Sequence, residues 1–285
     1  MPNTLTTSRQ KLDALEKLLL GMESVLVAFS GGVDSTLLLK VAHDVLGDRA
    51  AGATGLSGSY APEEMTDAAR LADQIGARHI HIETMELTDP RYANNTHQRC
   101  FFCKTELYTK LRQTADRFGF AEIVDGSNAD DLGDFRPGMR AARDLGVRSP
   151  LLEVGLTKAE IREISRECGL PTWDKPAAAC LSSRFAYGDP ITVDKLKRVA
   201  AAESFLRGLG YRGFRVRHHD TLARLEFPLE LVPELLERKA EIVEGVKAAG
   251  YQHVTIDLEG YRPGSMNEVL HARLKQGGLR SQGAL

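Results

Sequence analysis

Three groups of residues carry the chemistry open to this sequence. The first is the hexapeptide Ser30-Gly31-Gly32-Val33-Asp34-Ser35, which ends an apolar run, 24–30, and leads into a helical pattern, 35–46. Two adjacent glycines let the backbone turn tightly. Successive N–H groups and a helix N-terminus then converge on one anion, with the Ser30 and Ser35 hydroxyls as further donors. A pyrophosphate fits such a nest. The loop lacks the lysine of a Walker A motif, so it is not built to grip a terminal phosphate for transfer. Asp34 repels phosphate and acts either through Mg²⁺ or by holding the loop.

The second group is the thiols. Cys100 and Cys103 stand three positions apart, close enough for one metal or cluster to bridge; zinc, redox chemistry and packing remain open at this spacing. Cys180 ends a stretch of small residues, Ala177-Ala178-Ala179, that can approach a ligand closely, and Lys175 and Arg184 would favour its thiolate. Cys168 closes an apolar-periodic helix and reads as a buried structural cysteine. The third group is cationic. Arg215 and Arg217 share one face of a strand by period-two geometry, where forked guanidiniums can hold a phosphate bidentately, and Arg262 is a second candidate. Glu226 on the following strand could serve Mg²⁺ or pair with an arginine.

These residues require a scaffold, and the periodicity supplies one. Apolar runs at 24–30, 51–56, 78–83 and 121–127 read as strands, alternating with helical patterns at 35–46, 62–75, 102–118 and 157–168. A helix carrying Leu12, Leu15, Leu18 and Leu19 precedes them, capped by Ser8. Strands alternating with helices predict an α/β fold, a doubly wound parallel sheet covered on both faces. Beyond the Pro-containing stretch 171–190 the pattern becomes a helix (193–209), two strands (214–219 and 222–227), a helix (231–249) and a strand (253–258), a smaller C-terminal α+β domain. The expected domains are 1–175 and 176–285. The end of the chain, 275–285, has little to bury.

Composition narrows the class. Apolar residues at 42% and charged residues at 27% describe an ordinary globular chain, and 285 residues suit two domains. A net charge of −2 gives no global attraction to nucleic acid, which is not an expected partner. No apolar run approaches the ~20 residues of a membrane span, and residues 1–10 lack a secretory h-region. The expected location is the cytoplasm, where clustered thiols signal metal or chemistry more often than disulfides.

The hexapeptide in its strand-then-helix setting resembles the signature of the PP-loop ATP pyrophosphatases, which have a Rossmann-like fold and cleave ATP to AMP and pyrophosphate. In that family adenine lies near the end of the second strand, here Thr54, Leu56 and Ser57. A further turn follows the fourth strand, here Asp125-Gly126-Ser127-Asn128. The resemblance implies ATP contacts from Ser30, Gly31, Gly32, Asp34, Ser35, Ser57 and Gly126.

Three segments together make it more specific: the loop 30–35, the run Leu170-Pro171-Thr172-Trp173-Asp174-Lys175-Pro176 through Cys180 and Arg184, and Gly260-Tyr261-Arg262-Pro263-Gly264-Ser265-Met266-Asn267. Over nearly the whole chain this is similar to the LarE family of ATP-dependent sulfur transferases in nickel-pincer nucleotide cofactor synthesis. The resemblance implies that Cys180, with Asp34, is catalytic and handles the sulfur. It also implies that Cys100, Cys103 and Cys180 hold a [4Fe-4S] cluster whose fourth iron binds sulfide, where members with only the one cysteine sacrifice it. The implied cofactors are ATP, Mg²⁺ and the cluster. The implied partners are a mononucleotide, pyridinium-3,5-biscarboxylic acid mononucleotide, with its phosphate on Arg215, Arg217 and Arg262, and sulfide or another sulfur donor. The C-terminal domain is expected to bind that phosphate and to make the contacts of a homo-oligomer.

Overall fold

A computed structural model describes residues 7–57, 62–133, 137–176 and 179–262. The segment 263–267, the tail 275–285, and Ala177 and Ala178 lie outside the described residues. The chain divides into two compact units, 1–180 and 181–285, against the 175/176 boundary read from the sequence. The Arg162 guanidinium donates to the carbonyls of Trp173 and Lys175, at 2.6 and 2.8 Å, and ties that run to the helix Lys158–Glu167 of the first unit.

In order, the first unit contains α1 (Ser8–Leu20), β1 (Val25–Ala28), α2 (Val33–Leu46), β2 (Ala50–Leu56), α3 (Pro62–Ile75) and β3 (Arg78–Glu83). Then come the short α4 (Pro90–Ala93), the long α5 (Arg99–Phe118), β4 (Glu122–Val124), α6 (Pro137–Asp144), the short α7 (Pro150–Glu153) and α8 (Lys158–Glu167). Among the described residues the strands form one parallel sheet in the order β3-β2-β1-β4. The inner strand β1 is apolar on both faces because both are covered. Val25 and Val27 point to a core with Leu15 and Leu19 of α1, Leu38 of α2 and Ile161 of α8. Leu26 and Ile123 point to the other, with Tyr108 and Leu111 of α5 and Ala141 of α6.

This is the α/β doubly wound fold, and its strand order places the site. From β1 the chain steps outward through β2 to β3, then returns to add β4 on the opposite side of β1. The order therefore reverses between β1 and β4, and at such a switch point the loops leaving the carboxyl ends diverge and open a crevice.

The second unit contains α9 (Val193–Gly208), β5 (Arg215–His219), β6 (Leu222–Glu226), α10 (Val232–Glu237), α11 (Lys239–Ala248) and β7 (His253–Ile256). β5 pairs with β6 antiparallel and β6 with β7 parallel, over a core that includes Leu206, Val216, Leu225 and Val246. The expected single helix over 231–249 is broken at Arg238. Its ψ of 15° leaves the helical region while its guanidinium lies over the Tyr211 ring and pairs with Glu234 and Glu241 on either side. Among the described residues no helix is long and apolar enough to cross a membrane.

Candidate active site

The loop after β1 turns at Gly31, whose φ of 67° lies in the left-handed region that a Cβ disfavours. Ser35 then folds back over the turn. Its hydroxyl accepts from the Ser30 N–H at 3.2 Å and lies 3.1 Å from the Ser30 hydroxyl. Gly32 is the N-cap of α2, in extended backbone and with no side-chain cap, so the first-turn N–H groups of the helix are left to an anion. Asp34 holds the loop: its carboxylate accepts from Asn128 at 3.2 Å and pairs with the Lys158 ammonium at 2.5 Å. The Lys175 ammonium, expected beside Cys180, donates instead to the Gly31 carbonyl at 3.1 Å.

The turn after β4 lies against this loop. Asp125 is buried and accepts from the Tyr108 and Ser149 hydroxyls, both at 2.7 Å, and from the Ser127 N–H. Gly126 comes so close to α2 that a Cβ there would stand 3.0 Å from the Ser35 nitrogen and 3.1 Å from the Asp34 Cβ. Between the two loops lies a cleft of about 420 Å³, whose lining includes Ser30, Asp34, Ser35, Gly126, Cys100 and Lys104. Ser57 is not among those residues. It hydrogen-bonds Glu86 and lines a separate depression with Leu56, His81 and Glu83.

Thr54 serves the scaffold. Its hydroxyl donates to the Phe29 carbonyl at 2.6 Å, so it must accept from His79 Nε2 at 2.8 Å, and the other ring nitrogen of His79 faces His81 at 3.3 Å. Burial, with His81 adding to it, lowers the His79 pKa from 6.5 to about 4, in keeping with a neutral ring in this chain of bonds.

Cys100 and Cys103 lie on the first turns of α5, three residues apart and so on one face. Cys100 is exposed and Cys103 half-buried, yet both thiols sit deep enough in surrounding protein that desolvation dominates and pushes their pKa values up. Cys180, half-buried, is close enough for its charge to add to both shifts, while Lys104 opposes them. Among the described residues no three His, Cys, Asp or Glu side chains stand together as a single-ion site. Three cysteine thiols are the donor chemistry that a [4Fe-4S] cluster takes. Cys168, read as buried, is exposed at the C-cap of α8, where Lys40 and Asp44 are its charged neighbours.

In the second unit the Arg184 guanidinium, expected to favour the Cys180 thiolate, is committed to Glu203 by two bonds of 2.8 Å, both residues buried. Arg217 is 5% exposed; its guanidinium pairs with Glu226 at 2.7 Å and donates to the Ser183 carbonyl at 2.8 Å. Arg224 is a further partner of Glu226, so that carboxylate pairs with two arginines. Arg215 is half-buried over the Tyr261 ring at 5.1 Å, and burial followed by the Arg184 charge lowers its pKa. Arg262 pairs with Glu259 at 2.6 Å.

Sequence reasoning missed Lys158, and it assigned Lys175 to a different neighbour. Thr157 marked a helix start, but the pairing of Lys158 with Asp34 spans 124 positions and leaves no local signal.

Residues 11–122 match the NAD synthase family model. A pyridinium-3,5-bisthiocarboxylic acid mononucleotide synthase of Lactiplantibacillus plantarum is 38% identical over 94% of this chain and 96% of its own. An uncharacterized protein of Synechocystis sp. is 47% identical over 91% of this chain and 98% of its own, and one of Methanocaldococcus jannaschii is 28% identical over 84% and 91%.

Proposed function

This chain belongs to the LarE family within the PP-loop ATP pyrophosphatases, and we propose that it is an ATP-dependent sulfur transferase that converts carboxylates of pyridinium-3,5-biscarboxylic acid mononucleotide to thiocarboxylates. The observation that carries the reading is that Cys100 lines the same cleft as Ser30, Asp34 and Ser35. Phosphate chemistry and thiol chemistry therefore share one space.

A carboxylate resists nucleophiles because it is anionic and its oxide is a poor leaving group. Attack of a carboxylate oxygen on the α-phosphorus of ATP, brought in with Mg²⁺, forms an acyl-adenylate and expels pyrophosphate. The nest at 30–35 stabilises the departing charge. A sulfur nucleophile then adds to the acyl carbon, and AMP leaves with the C–O electron pair. Cys100, Cys103 and Cys180 would hold a [4Fe-4S] cluster, which supplies an iron site for exchangeable sulfide. Arg215, Arg217 and Arg262 would receive the mononucleotide phosphate, which must compete with Glu226 for Arg217 and with Glu259 for Arg262. The protein works in the cytoplasm as a homo-oligomer.

The test is anaerobic purification with assay of iron and acid-labile sulfide, followed by supply of ATP, sulfide and the dicarboxylate mononucleotide. AMP, pyrophosphate and thiocarboxylate are expected together. ATP binding without substrate-dependent pyrophosphate release, or stimulation by tRNA in place of the mononucleotide, would refute it.

A further inference from the structure

The nest at 30–35 is electrostatically incomplete for a polyphosphate. Its donors are neutral N–H and hydroxyl groups, and its one charged residue, Asp34, has the wrong sign. Two ammonium groups from distant parts of the chain bracket it. Lys158 Nζ lies 2.5 Å from Asp34 Oδ2, and Lys175 Nζ lies 3.1 Å from the Gly31 carbonyl oxygen.

Both lysines are fixed at the backbone. Lys158 is the first residue of α8, whose start is set by the Thr157–Glu160 capping box, and its own N–H donates to Asp130 at 2.8 Å. Glu160 is anchored in turn by Lys11 at 2.7 Å. The Lys175 carbonyl accepts from Arg162 at 2.8 Å. An ammonium has three donors, and only one is needed for each contact with the loop. A side chain needed only to neutralise Asp34 would account for Lys158 but not for a second ammonium on a neutral carbonyl three residues away.

We infer that Lys158 and Lys175 are the cationic clamp of the pyrophosphate site, each moving from its loop partner to a phosphate oxygen when the nest fills. They supply from outside the loop the charge that a Walker A lysine supplies from within it. The inference rests on reading the loop as a pyrophosphate nest, and the experiment separates the two.

Binding of inorganic pyrophosphate to the full chain is measured by calorimetry for the wild type and for Lys158→Met and Lys175→Met, alongside their urea unfolding midpoints. Each variant should bind about 10- to 100-fold more weakly, as expected for loss of a charge-assisted hydrogen bond, with the midpoint little changed. Lys158→Arg should recover most of the affinity. Should Lys158→Met fail to fold because Asp34 is left unpaired, Asp34→Asn with Lys158→Met removes the pair together and carries the same expectation. Folded variants that bind pyrophosphate as the wild type does would overturn the clamp and leave the nest standing. A wild type that binds no pyrophosphate would overturn both.

Discussion

Gly126→Ala adds one methyl group where the turn after β4 meets the start of α2. The new carbon would stand 3.0 Å from the Ser35 nitrogen, 3.1 Å from the Asp34 Cβ and 3.2 Å from the Asp34 carbonyl carbon. Ordinary contact begins several tenths of an ångström further out, and none of these atoms is the far end of a flexible side chain that could swing away. The turn or the helix start must therefore shift. Overpacking of this kind costs about 1–3 kcal/mol of stability. The same displacement opens the nest; since misplacement by about 1 Å costs roughly 100-fold in rate, a shift of a few tenths of an ångström should cost up to about 10-fold. Gly208→Ala provides the contrast, since a Cβ there meets nothing within 4 Å and the residue ends a helix. That change should stabilise by up to about 1 kcal/mol. Urea unfolding and substrate-dependent pyrophosphate release, measured on both variants, give the comparison. A Gly126→Ala protein with wild-type stability and wild-type release would show that the close approach constrains nothing.

The thiol reading predicts that Cys100→Ala, Cys103→Ala and Cys180→Ala each lose most of the iron, because two thiolates rarely retain a four-iron cluster. Full activity of iron-free Cys100→Ala would leave Cys180 as the sole reactive thiol, and a loss of about 34 Da at Cys180 after turnover would mark it as consumed. In the second unit, Arg217→Ala should destabilise by about 1.5–3 kcal/mol, because buried Glu226 loses one charged partner and keeps Arg224. Arg215→Ala should leave unfolding little changed while raising KM for the mononucleotide; an unaltered KM would remove it from the phosphate site. Stability should also depend on pH through His79, whose folded pKa is about 4 against an ordinary 6.5. The unfolded chain takes up the proton first, so this contribution is present above about pH 6.5 and is lost as pH falls toward 4. The loss is on the order of 2 kcal/mol for a half-buried ring, and the urea midpoint of His79→Gln should fall less over the same range.

The sheet, the phosphate loop and the long helices were legible because each signal is local. Val25 to Ala28 form an unbroken apolar run, two glycines follow, and the helix periodicity resumes at once. α6 was not legible. It opens on Pro-Gly and offers only Met139, Ala141 and Ala142 to an apolar face, and it is held by Ala141 and Ala142 packed into the core beside Tyr108, a contact that exists only after folding. Within the site, Ser30, Asp34, Ser35, Gly126 and Cys100 could be named from motif and spacing. The commitments of Arg184 to Glu203, Arg217 to Glu226 and Lys158 to Asp34 could not, because each joins elements whose approach is set by packing rather than by sequence distance.

The placement of β4 beside β1 bears on when during synthesis this protein acquires its pocket. The two strands align Val25 with Glu122, and the Ala121 N–H reaches back 97 positions to the Ser24 hydroxyl. A nascent chain that has displayed β1, α2, β2 and β3 already owns the glycine turn but has only one wall of the crevice. The opposite wall arrives when β4 docks, and Lys158 and Lys175 follow later still. Nucleotide therefore has nothing complete to bind until most of the first unit has left the ribosome, and a ligand that fills the crevice reports on closure of the whole α/β sheet rather than on its first half.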